Sequence, residues 1–415
     1  MSVCISPGSF FLGSSFPVIR SVIRVRVYRF SSFLLFAAIL AASLVLAGCG
    51  SSAPNTTTTT TTTPPPNNPP PPPAPSTPPV PITWTPQTSP LPAPPAQVPP
   101  PTASNDFPLT ISSPSDGATV TSPATVVASA NPKNPIFFMR VYVDQLAVYF
   151  AFSNSINTMI WMSPGKHTLE VMAEDKQGYI SATPLQITVS SQSQTTVSGI
   201  QNMPGWLSCS ATFPPGSGRD GQICAAGLGT AVSTMTEGQS TPSMDGKSAK
   251  FTMGGPTPYS NMIYYNPIGG GDSVSHFSYD LYFYIDTPGA AQALEFDLNQ
   301  TFGGTRWVWG SECNFNGSGK WDIWDDINGW KPTSIDCKPF PAATWIHLVW
   351  NVERVGNQVH YISLTVGDQT YNIDTYYQAQ PSWTLEEIDT AFQMDGNYAQ
   401  QPYNVWLDEV NLTAN

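Results

Sequence analysis

Charge is scarce in this sequence. Of 415 residues, 16 are Lys or Arg and 28 are Asp or Glu, so 11% are charged, against about 25% in an average soluble domain. That low fraction argues against a cytosolic housekeeping enzyme. The shortage of basic residues leaves no footprint for neutralising phosphates and excludes nucleic acid as a partner. Cysteine is sparse as well, six in all and without a C-x-x-C spacing, which argues against a structural zinc site. No apolar run reaches the roughly 20 residues of a comfortable membrane span. There is no G-x-S-x-G elbow, no H-E-x-x-H, no phosphate loop and no dinucleotide fingerprint. His167, His276, His347 and His360 have no nucleophile motif beside them.

What is present is distributed unevenly. No charged residue lies between Phe30 and Asn105, and 21 of the 43 prolines fall between Ser51 and Asp106. The chain therefore divides by composition. Residues 1–48 carry Arg20, Arg24, Arg26 and Arg29, then an apolar stretch from Phe33 to Gly48 broken only by Ser43. That order fits a secretory signal. Leu46-Ala47-Gly48-Cys49 resembles the lipobox of bacterial lipoproteins, which implies cleavage before Cys49, a lipid-modified Cys49 and attachment to a membrane. Acyl chains hold a protein there through buried methylene groups, about 0.8 kcal/mol each.

Residues 49–106 contain eight consecutive threonines, Thr56–Thr63, and the run Pro69–Pro73. Such a stretch buries too little apolar surface to offset its conformational entropy. A disordered spacer is expected, stiffened toward polyproline II, with a reach of roughly 170 Å at most.

Residues 107–190 read as about seven short strands separated by turn signals such as Asp116-Gly117 and Pro164-Gly165. His167 after the second turn is expected to be solvated. The run S-P-x-D-G-A-T-V, then V-Y-V-D, then G-K-H-T-L-E-V-M-A-E-D resembles bacterial Ig-like surface domains. The resemblance implies a β-sandwich used as spacer or adhesion unit. Residues 191–199 are a linker.

Residues 200–415 hold the candidate function. They carry 8 basic and 22 acidic residues and ten of the twelve tryptophans. With Cys4 in the leader and Cys49 taken by lipid, Cys209, Cys224, Cys313 and Cys337 remain, and three pairings are open. Neighbour pairing, Cys209–Cys224 and Cys313–Cys337, is expected because it closes short loops. Alternation is strong: Phe277, Tyr279, Leu281, Phe283 and Ile285 share one face, as do Leu294, Phe296 and Leu298. Asn328-Gly329 and Gly356-Asn357 mark two hairpins. A helix is plausible only near Leu385–Asp389. The fold class expected is all-β, an Ig-like sandwich followed by a larger antiparallel jelly-roll sandwich.

The order of E-F-D-L-N (Glu295–Asn299), W-I-H-L-V-W-N-V-E-R (Trp345–Arg354) and N-V-W-L-D-E-V-N-L (Asn404–Leu412) resembles the concanavalin A-like lectin and glucanase families. That resemblance implies a sheet face that binds a glycan. Period-two geometry puts Glu295, Asp297 and Asn299 on one face. The motif is similar to the E-x-D-x-E strand of lichenase-type hydrolases, which would make Glu295 a nucleophile and Asp297 its support. The acid/base position is Asn299, which cannot transfer a proton, so the expectation leans away from an enzyme. The alternatives are a hydrolase or polysaccharide lyase using Glu295 and Asp297, and a purely structural adhesin.

The strand also resembles the V-E-F-D strand of metal-binding legume lectins. No cofactor is called for, and a structural calcium is the single one with any support. Aromatic rings stack on the apolar faces of sugars, and Trp307, Trp309 and Trp324 are the expected surface rings. Gln393 and Asp395 share another strand face and complete the candidate set. The expected partner is a neutral polysaccharide, because the negative charge disfavours acidic glycans. The expected location is the cell envelope, on an exported, lipid-anchored chain.

Overall fold

A computed structural model describes Pro100 and residues 104–192, 194–210, 231–382 and 385–415. The signal, the lipobox cysteine, most of the tether and Cys224 lie outside the described residues. The end of the expected tether, Ser104–Asn105, is instead a strand paired with Ala182 and Ser181, and Thr195–Ser198 of the expected linker is a strand paired with Tyr403–Ala414. Among those described there is no α-helix, and no helix is long and apolar enough to cross a membrane. The chain is all-β and builds two sandwiches of mainly antiparallel strands.

The smaller sandwich faces Leu109–Ser113, Ala124–Ala130 and Ser155–Trp161 against a second sheet. That sheet is built from Ile136–Val143, Leu146–Ala151, Gly165–Asp175 and Ile180–Val189, with two short flanking strands. Alternation decides which side is core. In Ala124–Ala130 every second residue, Ala124, Val126, Ala128 and Ala130, is buried, while Thr125 and Ser129 are exposed. Val126, Met139, Val141, Ile160, Leu169 and Val171 meet between the sheets. His167 is not a solvated residue: its Nδ1 lies 2.7 Å from Asp144 and its Nε2 2.8 Å from the Ser163 carbonyl, with the side chain 10% exposed. It ties the strand start to the neighbouring hairpin.

In the larger sandwich one sheet runs in the order Val232–Gln239, Ser248–Gly254, Tyr403–Ala414, His276–Ile285, Trp345–Val355, Gln358–Val366 and Gln369–Gln378. The other runs Asn261–Gly270, Glu387–Gly396, Ala291–Phe302, Ser311–Asn314, Lys320–Asp325 and Gly329–Asp336. Phe277, Tyr279, Leu281, Phe283 and Ile285 turn inward from the first sheet, and Leu294, Phe296, Leu298, Phe392 and Met394 from the second. The hairpin at Gly356 forms as the sequence predicts, with Gly356 at φ 59°. The strands Lys320–Asp325 and Gly329–Asp336 are joined by a turn over Asp326–Asn328, where the Asp325 carboxylate accepts the N–H groups of Ile327 and Asn328. Cys313 and Cys337 form a disulfide with Cα atoms 5.6 Å apart. The expected Cys209–Cys224 pairing lies outside the described residues.

Two differences from the sequence expectation stand out. The helix expected near Leu385–Asp389 is absent. Instead Glu387–Gly396 is a strand gripped on both sides, paired with Asn261–Gly270 and Ala291–Phe302. Ile388 is fully buried there, so tertiary pairing overrides local propensity. The sandwiches also share a sheet. Gly269 and Gly270 pair in parallel with Ile160 and Trp161, and Leu385 packs among Tyr142, Ala147, Phe150 and Met172 of the smaller sandwich. At Gly269 a Cβ would lie 2.4 Å from the Val148 carbonyl oxygen, so only glycine permits this approach.

Candidate functional site

The site is built on the outer face of the sheet that holds Glu295. In Ala291–Phe302 the even-numbered Leu294, Phe296 and Leu298 enter the core, which turns Glu295, Asp297 and Asn299 the other way. Register then lines up side chains from neighbouring strands. Gln393, Glu295, Glu312 and Asp322 are successive Cα partners across four strands. One step along, Asn261 is partnered with Asp395. Glu295, Glu312 and Asp322 are buried and Asp395 is half-buried.

Asp297 marks a break in its neighbour. The strand opposite is interrupted at Gly310, between Trp309 and Ser311, and the freed Ser311 N–H donates to Asp297 Oδ1 at 2.9 Å. Across the break the Trp324 N–H donates to the Gly310 carbonyl at 3.0 Å. A Cβ on Gly310 would meet Trp324 Cβ at 2.8 Å, so glycine lets Trp324 stand there. Trp324 packs edge to face on Trp330, ring centroids 5.1 Å apart, and both are half-buried. The Trp324 Nε1–H donates to Asp326, whose carboxylate also takes two hydrogen bonds from Arg306 at 2.8 Å.

Burial and like charge dominate the electrostatics. Burial, then Asp395, Asp297 and Glu312, hold Glu295 well above the usual carboxyl range. Burial pushes Glu312 up to about 9, with Asp395 and Asp322 adding to it. Burial lifts Asp297 to about 7 against the opposing Ser311 N–H, and Asp395 to about 6. Hydrogen bonds link Glu295 to Asp395 and Glu312 to Asp322. Gln393 Nε2 donates to Glu295 and, at 3.1 Å, to Asp395. Asn314 Nδ2 donates to Glu312 at 3.0 Å and to Asp322 at 3.3 Å. Among the described residues no Lys, Arg or His forms an ion pair with Glu295, Glu312 or Asp395. A cluster of carboxyl groups with raised affinity for protons, gathered on one sheet face, marks this face as the candidate site.

The sequence-derived set divides. Glu295, Asp297, Gln393 and Asp395 come together, Asn299 lies on the same face two residues on, and Trp324 shares the outward face of its strand with Asp322, the partner of Glu312. Trp307 and Trp309 do not join them. Both point into the core, where Trp307 stacks on Phe302 at 4.8 Å and Trp309 packs on Phe277 at 5.5 Å. Their expected exposure is corrected by Arg306 and Val308, which take the outward positions of that strand. Glu312, Asp322 and Asn261 were not among the expected residues. The alternation of Glu312 with Asn314 and the acid in K-W-D-I-W-D were the available signals.

No family model matches the chain and no curated protein matches it. Solved structures do. A carbohydrate-binding module of the β-sandwich superfamily is 13% identical over 73% of this chain and 96% of its own, with a TM-score of 0.28. Arcelin-5, a lectin-like defence protein from Phaseolus vulgaris, is 11% identical over 54% of this chain and 99% of its own, at 0.30. A carbohydrate esterase from a Shiga toxin-encoding bacteriophage is also 11% identical over 54% and 99%, at 0.32. At such identities and scores the likeness says nothing of the ligand of this chain.

Proposed function

We propose that this protein binds a neutral polysaccharide on the outer face of the Glu295 sheet, without catalysis. In this reading the chain is exported, anchored in the cell envelope by lipid on Cys49, and held away from the membrane by the Thr/Pro tether and an Ig-like spacer. One observation carries the binding claim. Five neighbouring strands turn carboxyl and amide side chains to a single face, and a half-open tryptophan pair stands at its edge. Carboxylates and amides are the groups that accept and donate hydrogen bonds to sugar hydroxyls. Trp324 and Trp330 supply a ring surface for the apolar face of a pyranose. The excess of acid over base around them disfavours acidic glycans.

A second reading, hydrolysis, is favoured by Glu312. It faces Glu295 with carboxyl oxygens within 4.8 Å, near the about 5–5.5 Å of a retaining carboxyl pair. It could take the proton-donating role that Asn299 cannot.

A glycan array followed by calorimetry on the full chain tests the proposal. Binding to at least one neutral polysaccharide is expected, with no release of reducing ends. Reducing-end release that Glu312→Gln abolishes would replace the binding reading with the hydrolase. Failure to bind any glycan would leave a structural adhesin.

A further inference from the structure

The chemistry still unassigned lies among Glu295, Glu312 and Asp395. Three neighbouring strands bring their carboxyl oxygens within 4.8 Å of one another. Three like charges that close do not stay ionised together without compensation, and no basic side chain among the described residues supplies it.

Two amides provide a separate observation. Gln393 and Asn261 are 4% and 8% exposed, and neither Gln393 Oε1 nor Asn261 Oδ1 meets a donor among the described residues. A buried acceptor left alone costs about 1–3 kcal/mol. Both amides reach into the cluster through nitrogen: Gln393 to Glu295 and Asp395, and Asn261 to Asp395. A half-turn about the terminal bond exchanges amide oxygen and nitrogen. That rotation carries both lone oxygens toward the carboxyl groups, which is favourable with a cation between them or with carboxyl protons to donate.

We propose that Glu295, Glu312 and Asp395, completed by the amide oxygens of Gln393 and Asn261, form a binding site for one calcium ion. An all-oxygen donor set is that of a hard cation. Calcium–oxygen distances of about 2.3–2.6 Å place opposite ligands about 4.6–5.2 Å apart, which matches the spread of this cluster, whereas magnesium at about 2.0–2.1 Å requires a tighter one. Asp297, which the motif resemblance pairs with Glu295, is outside the set because its carboxylate holds the Ser311 N–H. The ion would tie together the strands that carry the acid row. Its ligands belong to the polar row assigned above to the glycan, but the calcium site rests on their own geometry and does not require that reading.

The test uses the full chain, stripped with EDTA and titrated with calcium chloride by calorimetry, with melting followed in parallel. The expected result is one calcium per chain, a raised Tm, and a response to magnesium weaker by about tenfold or more. Glu312→Gln is expected to weaken calcium binding by about 30-fold or more, and Asp395→Asn serves if that variant fails to fold. Asp374→Asn, on the opposite sheet, should bind as wild type does. A stripped, folded protein that shows neither heat nor a Tm shift at millimolar calcium overturns the proposal. So does wild-type calcium affinity in a folded Glu312→Gln or Asp395→Asn variant.

Discussion

Glu295 and Glu312 stand opposite each other on neighbouring antiparallel strands, Cα to Cα in register, with their carboxyl groups converging beside Asp395. Two residues 17 positions apart in sequence thereby become one acidic site. The strand break at Gly310 places Trp324 next to it. The polar row and the ring pair stand on one face of a sheet whose opposite face sends Leu294, Phe296, Cys313, Trp321 and Ile323 into the core.

That opposition has a measurable cost in the absence of calcium. In EDTA, Glu312→Gln removes one of the crowded acids while its amide can still donate to Asp322. The variant is expected to melt at the same temperature as wild type or to gain about 1–3 kcal/mol, the scale of a buried group without compensation. A chemical or thermal melt of both proteins decides the point. A clear loss of stability would show that Glu312 contributes more than crowding.

The tryptophans separate into two classes by position. Trp307→Ala and Trp309→Ala open cavities in a packed core and should each cost about 3–5 kcal/mol. Trp324→Ala removes a half-buried ring from the outer face and should cost far less stability. Urea melts of the three variants check this ordering, and equal losses at Trp324 and Trp309 would contradict it.

Continuity between the sandwiches depends on a glycine. Gly269→Ala drives a Cβ against the Val148 carbonyl oxygen and against Ile160 Cδ1 at 2.6 Å. A loss of about 1–3 kcal/mol or more is expected, as in overpacked cores. Calorimetry should show one transition in the wild type and a lowered or split transition in the variant. An unchanged melt would mean that the junction contributes little.

Acid should loosen the opposite sheet. The His360 hydrogen bond at 2.8 Å, aided by His276, holds Glu353 below its usual value of 4.5. A depressed carboxyl contributes stability that is present above its unfolded pKa and lost as pH falls through the folded one. Wild-type Tm should therefore fall below about pH 4.5, and Glu353→Gln should flatten that part of the profile. Parallel profiles for the two proteins would refute the assignment.

Much of the fold was legible because strand alternation is a local property. His276–Ile285 buries every second residue, as its sequence pattern implies. Glu295 and Asp297 could be placed on one face for the same reason. The partners of that face were not legible, because Glu312 and Asp322 reach it by pairing across two hairpins rather than by spacing within a strand. Trp307 and Trp309 show the limit of alternation. It says that two rings share a face but leaves open which face is core, and here the charge of Arg306 on the opposite side was the informative residue. Ala391–Asp395 reads locally as strand, whereas Glu387–Asp389 reads as helix and becomes strand because two neighbours already offer it their edges.

The central claim is that the outer face of the Glu295 sheet binds polysaccharide, and one comparison tests it most directly. Calorimetry with a neutral polysaccharide should show binding to the wild-type chain and a loss of about thirtyfold or more in affinity in the folded Trp324→Ala/Trp330→Ala variant, at about 1–3 kcal/mol for each lost stacking contact. Undiminished binding by the double variant, or no binding by the wild type to any neutral polysaccharide, would contradict the account.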